Sequence, residues 1–142
     1  MWFELERGTL EWVARAPQTH HARADLAADP EEVFEVLADV DQWPNWHPNV
    51  ESAEWTSSKE GGAGSSRLVE LDIGEATEEF LKWEPGRRLT FTVTAATFPG
   101  LVRFVEDYRL AGVGRKHCRL WWDISWEPAW YAIPFVGLLR GA

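Results

Sequence analysis

Asp29-Pro30-Glu31-Glu32-Val33-Phe34-Glu35-Val36-Leu37-Ala38-Asp39 is the stretch on which the fold turns. Asp29 supplies a helix cap, Pro30 has the fixed φ that suits the first helical position, and Glu32 stands three residues after the cap, where it can close a capping box. Val33, Phe34 and Leu37, with Val36 beside them, recur at the i, i+3, i+4 spacing of one buried face, which predicts a helix over residues 30 to about 39. A second short helical piece is expected over 41–46, limited by Pro44 and Pro48.

On either side of this pair the chain reads as strands. Residues 18–27 form a candidate first strand, and residues 50–56 form one after the helices. The stretch 57–66, rich in Ser and Gly, is a loop. Residues 67–73 place Val69, Leu71 and Ile73 on one face, and Gly74 turns the chain into 75–84, a hairpin. Glu84-Pro85-Gly86-Arg87 carries Pro then Gly in the central positions of a type II turn. Beyond it Leu89, Phe91, Val93 and Ala95 alternate with Arg88, Thr90, Thr92 and Thr94, as a half-buried antiparallel strand requires. Strands over 102–110 and 118–126 complete an α+β plan: one strand, two short helices, then a six-strand meander in a strongly curved sheet.

Composition limits the function. A chain of 142 residues with 45% hydrophobic and 26% charged residues is expected to be a single domain spanning 1–142 with its own core. Its net charge of −9 is the wrong sign for neutralising nucleic-acid phosphates or anionic lipid headgroups. Cys118 is the one cysteine, so neither an internal disulfide nor a multi-thiolate metal site is available. The acidic start Met1-Trp2-Phe3-Glu4 lacks the basic and apolar regions of a signal peptide, and a cytoplasmic location is expected. The longest apolar stretch, 129–139, is too short and too interrupted by Pro134 to be a transmembrane segment. The ten tryptophans suit a broad cavity wall as well as a core.

The run from Ala24 to Asp39, followed by Trp43-Pro44-Asn45-Trp46-His47-Pro48, resembles the opening of the START-like or SRPBCC superfamily. More narrowly it is similar to bacterial polyketide cyclase/dehydrase and lipid-transport proteins. Trp83-Glu84-Pro85-Gly86-Arg87-Arg88, Val105-Glu106-Asp107-Tyr108-Arg109-Leu110 and Arg119-Leu120-Trp121-Trp122 match the same pattern. The resemblance implies a helix-grip fold, in which a curved seven-stranded antiparallel sheet wraps a C-terminal helix and leaves a cavity for an apolar ligand. Here only 128–142 follow the last strand, with Pro134 among them, so a shortened or truncated C-terminal helix is expected. The sheet face left uncovered would be open to a dimer partner.

Strand parity selects the candidate site. Val102, Phe104, Tyr108 and Leu110 share a face with Glu106, which puts a carboxylate in the middle of an apolar inward row. Thr77, Leu81 and Trp83 share a face with Glu79, although Phe80 competes for the inside, and Arg67 belongs to the row of Val69 and Leu71. Across two strand spacings Glu79 and Glu106 would lie roughly 10 Å apart. Glu106 and Glu79 are therefore the candidate acid–base residues, and Arg67, Phe91, Phe104, Tyr108, Trp122 and Ile124 the candidate ligand-binding set. The structural alternative is that the acids pair with arginines and the aromatics are core. His20 and His21 are neighbours on a strand and point to opposite faces, so no metal site is supported. Gly61-Gly62-Ala63-Gly64 lacks the ending of a phosphate-binding loop, and no cofactor is implied.

Three function classes follow: binding of a small hydrophobic or aromatic, lipid- or polyketide-like ligand; a polyketide cyclase or dehydratase of lyase type using Glu79 or Glu106; and a protein-interaction module using the bare sheet face.

Overall fold

A computed structural model describes residues 1–131. The expected shortened C-terminal helix falls on 132–142, outside the described residues. In chain order the elements are β1 (Phe3–Glu4), α1 (Leu10–Val13), β2 (Gln18–Leu26), α2 (Pro30–Ala38), a 3-10 turn (Val40–Gln42), α3 (Trp43–Trp46), β3 (Val50–Trp55), β4 (Ser66–Leu71), β5 (Gly74–Glu84), β6 (Arg88–Ala96), β7 (Leu101–Gly114) and β8 (His117–Pro128). The sheet runs β2-β8-β7-β6-β5-β4-β3, with β1 paired to β6 off this path. Every pairing is antiparallel, and β3 to β8 form the expected meander.

The fold adds an eighth strand to the expected seven. Beyond Thr92 the registered pairing of β6 with β7 ends, and the N-terminal segment enters there: Phe3 opposes Ala96, Leu5 N–H donates to Thr94 O, and Glu6 N–H donates to Val102 O. It then crosses the convex face, where Gly8 N–H donates to Thr92 Oγ1 and the Arg103 guanidinium lies 5.1 Å over the Trp12 ring.

Helix α2 buries Val33, Phe34 and Leu37 against the concave face and leaves Val36 exposed. Pro30 opens it, but the Asp29 side chain makes no capping bond. Chain geometry at Pro30, not a side-chain cap, sets this helix start. Trp43 Nε1–H donates to Leu37 O at 2.8 Å, so α3 folds back under α2 and places Trp43 against Phe91 and Tyr108. Phe80, Leu89 and Phe91 are 1% exposed or less, and with Phe34 and Leu37 they fill this half of the concave side. Ile73, expected on the inward row, lies in the turn after β4 and is 68% exposed.

Two register shifts between β5 and β6 bend the sheet, one with Thr94 of β6 as the extra residue. The one between Phe80 and Lys82 leaves Leu81 as the extra residue, so that Phe80 and Trp83 both turn inward and their rings meet at 5.1 Å. The inward row of β5 is therefore Ala76, Glu78, Phe80 and Trp83, which overturns the expected row of Thr77, Glu79 and Leu81.

Candidate functional site

Register lines up the site across three strands. Phe104, Glu106, Tyr108 and Leu110 on β7 oppose Trp126, Ile124, Trp122 and Leu120 on β8, and Trp122 opposes Ala22 on β2. On this face Leu120, Trp122, Ile124 and Phe104 are only half-buried, whereas the half under α2 is closed. The half-buried strip of the concave face therefore lies toward β2.

Glu106 lies in the middle of that strip, 7% exposed. Trp122 Nε1–H donates to its Oε1 at 2.8 Å, and the Tyr108 hydroxyl donates to the same oxygen at 3.1 Å. The Tyr108 and Trp122 rings stack at 5.6 Å and 12°. Both donors use Oε1, so Oε2 has no hydrogen bond to the described residues. Burial, then the neighbouring Glu78 charge, pushes the Glu106 carboxyl up to about 7, against the pull of the two hydrogen bonds and of Arg67. Burial likewise raises the Tyr108 phenol well above its ordinary value, so it remains a donor at neutral pH.

To the side of this strip, beyond β6 on the same concave face, Arg67 of β4 and Glu78 of β5 form an enclosed pair. Arg67 Nε–H donates to Glu78 Oε1 at 2.8 Å, with side-chain exposures of 1% and 8%. The guanidinium lies 4.2 Å from the Trp43 ring and 4.9 Å from the rings of Phe80 and Phe91, a cage of three aromatic faces. Its Nη1 and Nη2 have no hydrogen-bond partner among the described residues. Burial raises the Glu78 carboxyl, and the guanidinium opposes that rise.

His47 borders the site from the α3 end, its ring 6.1 Å from Trp122 and 5.9 Å from Trp43. Its Nδ1 accepts from Asn49 N–H, and burial followed by the Arg67 charge lowers its pKa, which keeps the ring neutral. No group of three or more metal-ligating side chains is found among the described residues.

The structure thus brings Glu106, Tyr108, Trp122, Phe104 and Ile124 onto one surface. Phe91 is on the same side of the sheet but wholly buried, a floor under Tyr108 and not a wall. Arg67 is not part of that surface: it lies on β4, enclosed by Trp43, Phe80 and Phe91. Glu79 is elsewhere: it pairs with Thr92 on the convex face and takes a two-pronged contact from Arg7 at 3.1 Å. Its placement opposite to Glu106 follows from the Leu81 bulge. Sequence reasoning missed Glu78 and His47. The signal for Glu78 was Phe80, whose inward side chain fixes Glu78 inward two residues earlier. His47 had no comparable signal. Two shallow surface grooves, one on the outer side of α2 beside Val36 and Gln42 and one between Arg7, Leu10 and Leu81, do not reach Glu106.

Uncharacterised proteins of Mycobacterium bovis and Mycobacterium tuberculosis are each 36% identical to this chain over 139 residues, covering 97% of it and 83% of their own length. Among solved structures, a START superfamily protein from Mycobacterium smegmatis superposes with a TM-score of 0.68 at 13% identity, over 78% of this chain and 77% of that one. An aromatase/cyclase from Streptomyces does so with a TM-score of 0.67 at 19% identity, over 79% of this chain and 68% of that one. At such identities the likeness is one of fold. Residues 17–142 match the family described as polyketide cyclase / dehydrase and lipid transport, and the chain belongs to that family.

Proposed function

We propose that the concave strip between β2, β7 and β8 binds a small aromatic or similarly flat hydrophobic molecule that presents one hydrogen-bonding group to Glu106. The observation that carries this reading is a carboxyl in the middle of a half-buried aromatic row, with both of its protein donors on one oxygen. Burying a carboxyl there costs several kcal/mol if it serves nothing, on the order of the penalty for any unpaired buried charge. Phe104, Trp122 and Ile124 supply apolar contact, Tyr108 orients the carboxyl, and Arg67 acts at one remove through its charge. Titration of the protein with 2-naphthol, followed by tryptophan emission, tests the reading. Saturable quenching that weakens about tenfold or more in Trp122→Ala supports it; unchanged emission, or equal binding by Trp122→Ala, rejects it.

A second reading is favoured by the position of the Glu106 carboxyl near neutrality. A group that is part carboxylate and part acid at pH near 7 suits a general base for a cyclase or dehydratase, taking a proton from a carbon activated by flanking carbonyls and returning it to a departing hydroxyl. Glu106→Gln keeps shape and removes that capacity. If the variant binds but does not turn over a poly-carbonyl substrate that the native protein converts, the enzyme reading stands; if neither protein converts it, binding alone remains.

A further inference from the structure

Gln18 and Trp126 oppose each other across β2 and β8. They are four residues along the same strands from Ala22 and Trp122, with no register shift between, so they face the concave side with Glu106. Trp126 is 4% exposed, and its Nε1–H has no hydrogen-bond partner among the described residues; Gln18 Oε1 is equally enclosed and equally without one. One is a donor and the other an acceptor, on neighbouring strands. Each such orphan costs about 1–3 kcal/mol relative to an apolar isostere. Two adjacent ones of complementary kind are a poor core and a prepared socket.

Their spacing from Glu106 carries the argument further. Trp126 opposes Phe104, and Glu106 opposes Ile124, so the orphan pair lies two residues along the sheet from the carboxyl, with Trp126 one strand over at about 8 Å and Gln18 two strands over at about 12 Å from backbone to backbone. Between them the surface is Phe104 and Ile124, both apolar. The strip is polar at both ends and flat between them.

We propose that Gln18 and Trp126 form a second polar subsite, which receives a group able to donate and accept at once, such as a phenolic hydroxyl, at the far end of a fused-ring ligand whose other polar group lies at Glu106. The hydroxyl proton goes to Gln18 Oε1 and its lone pair takes Trp126 Nε1–H. A bare carbonyl would leave Gln18 unmet, and an ammonium would leave Trp126 unmet. The ligand class is thus a flat molecule of two fused rings hydroxylated at opposite ends. This inference rests on the reading that the concave strip binds aromatic ligands.

Isothermal titration of 2,6-dihydroxynaphthalene and of 2-naphthol into the native protein, Trp126→Phe and Gln18→Met separates the two claims. The diol is expected to bind the native protein about tenfold or more tightly than the mono-ol, because a site built to bond a hydroxyl discriminates against its absence. In either variant that preference should fall to within about threefold, while the ligand-free variants melt no lower than the native protein, since each replacement removes an unmet polar atom. Gln18→Met keeps the test alive if Trp126→Phe folds poorly. Equal affinity of the native protein for both naphthols, or a diol preference that survives both substitutions, overturns the subsite and leaves the binding strip standing. Absence of binding by either naphthol to the native protein overturns the strip and the subsite together.

Discussion

The indole of Trp122 donates to Oε1 of Glu106 across 2.8 Å, and this bond ties β8 to β7 at the middle of the concave face. It also favours the ionised carboxyl, because a donor aimed at a carboxylate stabilises its charged form. Trp122→Phe keeps the ring and removes the donor. The Glu106 carboxyl should then titrate above about 7, followed by the carbon-13 shift of its carboxyl group, and stability should fall by about 1–2 kcal/mol. A titration that moves downward would mean that Trp122 acts chiefly by excluding water.

The same carboxyl makes stability depend on pH with a definite sign. Its ordinary value is 4.5 and its value in the fold about 7. Between these the folded chain holds a proton that the unfolded chain has released, so stability falls as pH rises through the window and is level outside it. Glu106→Gln removes that fall. Relative to the native protein it should gain up to about 3 kcal/mol between acid and neutral pH, read from urea unfolding at a series of pH values. Glu78, also raised, adds a slope of the same sign, and His47, lowered, adds stability that is lost as pH falls. Both groups persist in the variant, so the difference between the two profiles reports Glu106 together with its coupling to Glu78. Parallel profiles would show that Glu106 is ionised throughout.

Arg67 and Glu78 predict an asymmetry between breaking and replacing. Glu78→Ala leaves a guanidinium enclosed by Trp43, Phe80 and Phe91 without its carboxylate, and a loss of about 3–5 kcal/mol is expected. The double variant Arg67→Met with Glu78→Leu removes both charges and should lie within about 2 kcal/mol of the native protein. Because Glu78 raises Glu106, the double variant should also shift the Glu106 titration, with loss of Glu78 lowering it and loss of Arg67 opposing the change. A double variant as unstable as Glu78→Ala would mean that the pair contributes to stability as ions.

Much of this arrangement can be read from residue order. Helix α2 follows from Pro30 and the spacing of Val33, Phe34 and Leu37, and β6 from the alternation of Leu89, Phe91 and Val93 with threonines. The inward position of Glu106 follows from the period of two between Phe104 and Leu110, a stretch of β7 that lies between its two register shifts. What residue order conceals is the bulge. Leu81 carries no Gly or Pro to mark it, yet one extra residue reverses every side chain on its far side, so Glu78 enters the core and Glu79 leaves it. The pairing of Gln18 with Trp126 was equally hidden, since it depends on a register between the first and last strands of the main sheet path.

The convex face supplies the last prediction. A Cβ on Gly8 would overlap Cγ2 of Val105 and approach Thr92 Oγ1 to 3.1 Å, so this glycine is needed for close approach of the N-terminal segment to β6 and β7. Val105 is 1% exposed and belongs to the rigid middle of the sheet, so it has little room to yield. Gly8→Ala should therefore loosen the segment from the split between β6 and β7 and lower stability by about 1–3 kcal/mol. Glu79→Gln weakens only the Arg7 contact, in which Arg7 is 55% exposed, and should cost under about 1 kcal/mol. Neither substitution touches the concave strip, so 2-naphthol affinity should stay within about twofold of native for both. A loss of affinity in Glu79→Gln larger than its loss of stability would return Glu79 to the candidate site, and would mean that the convex face communicates with Glu106 through the sheet.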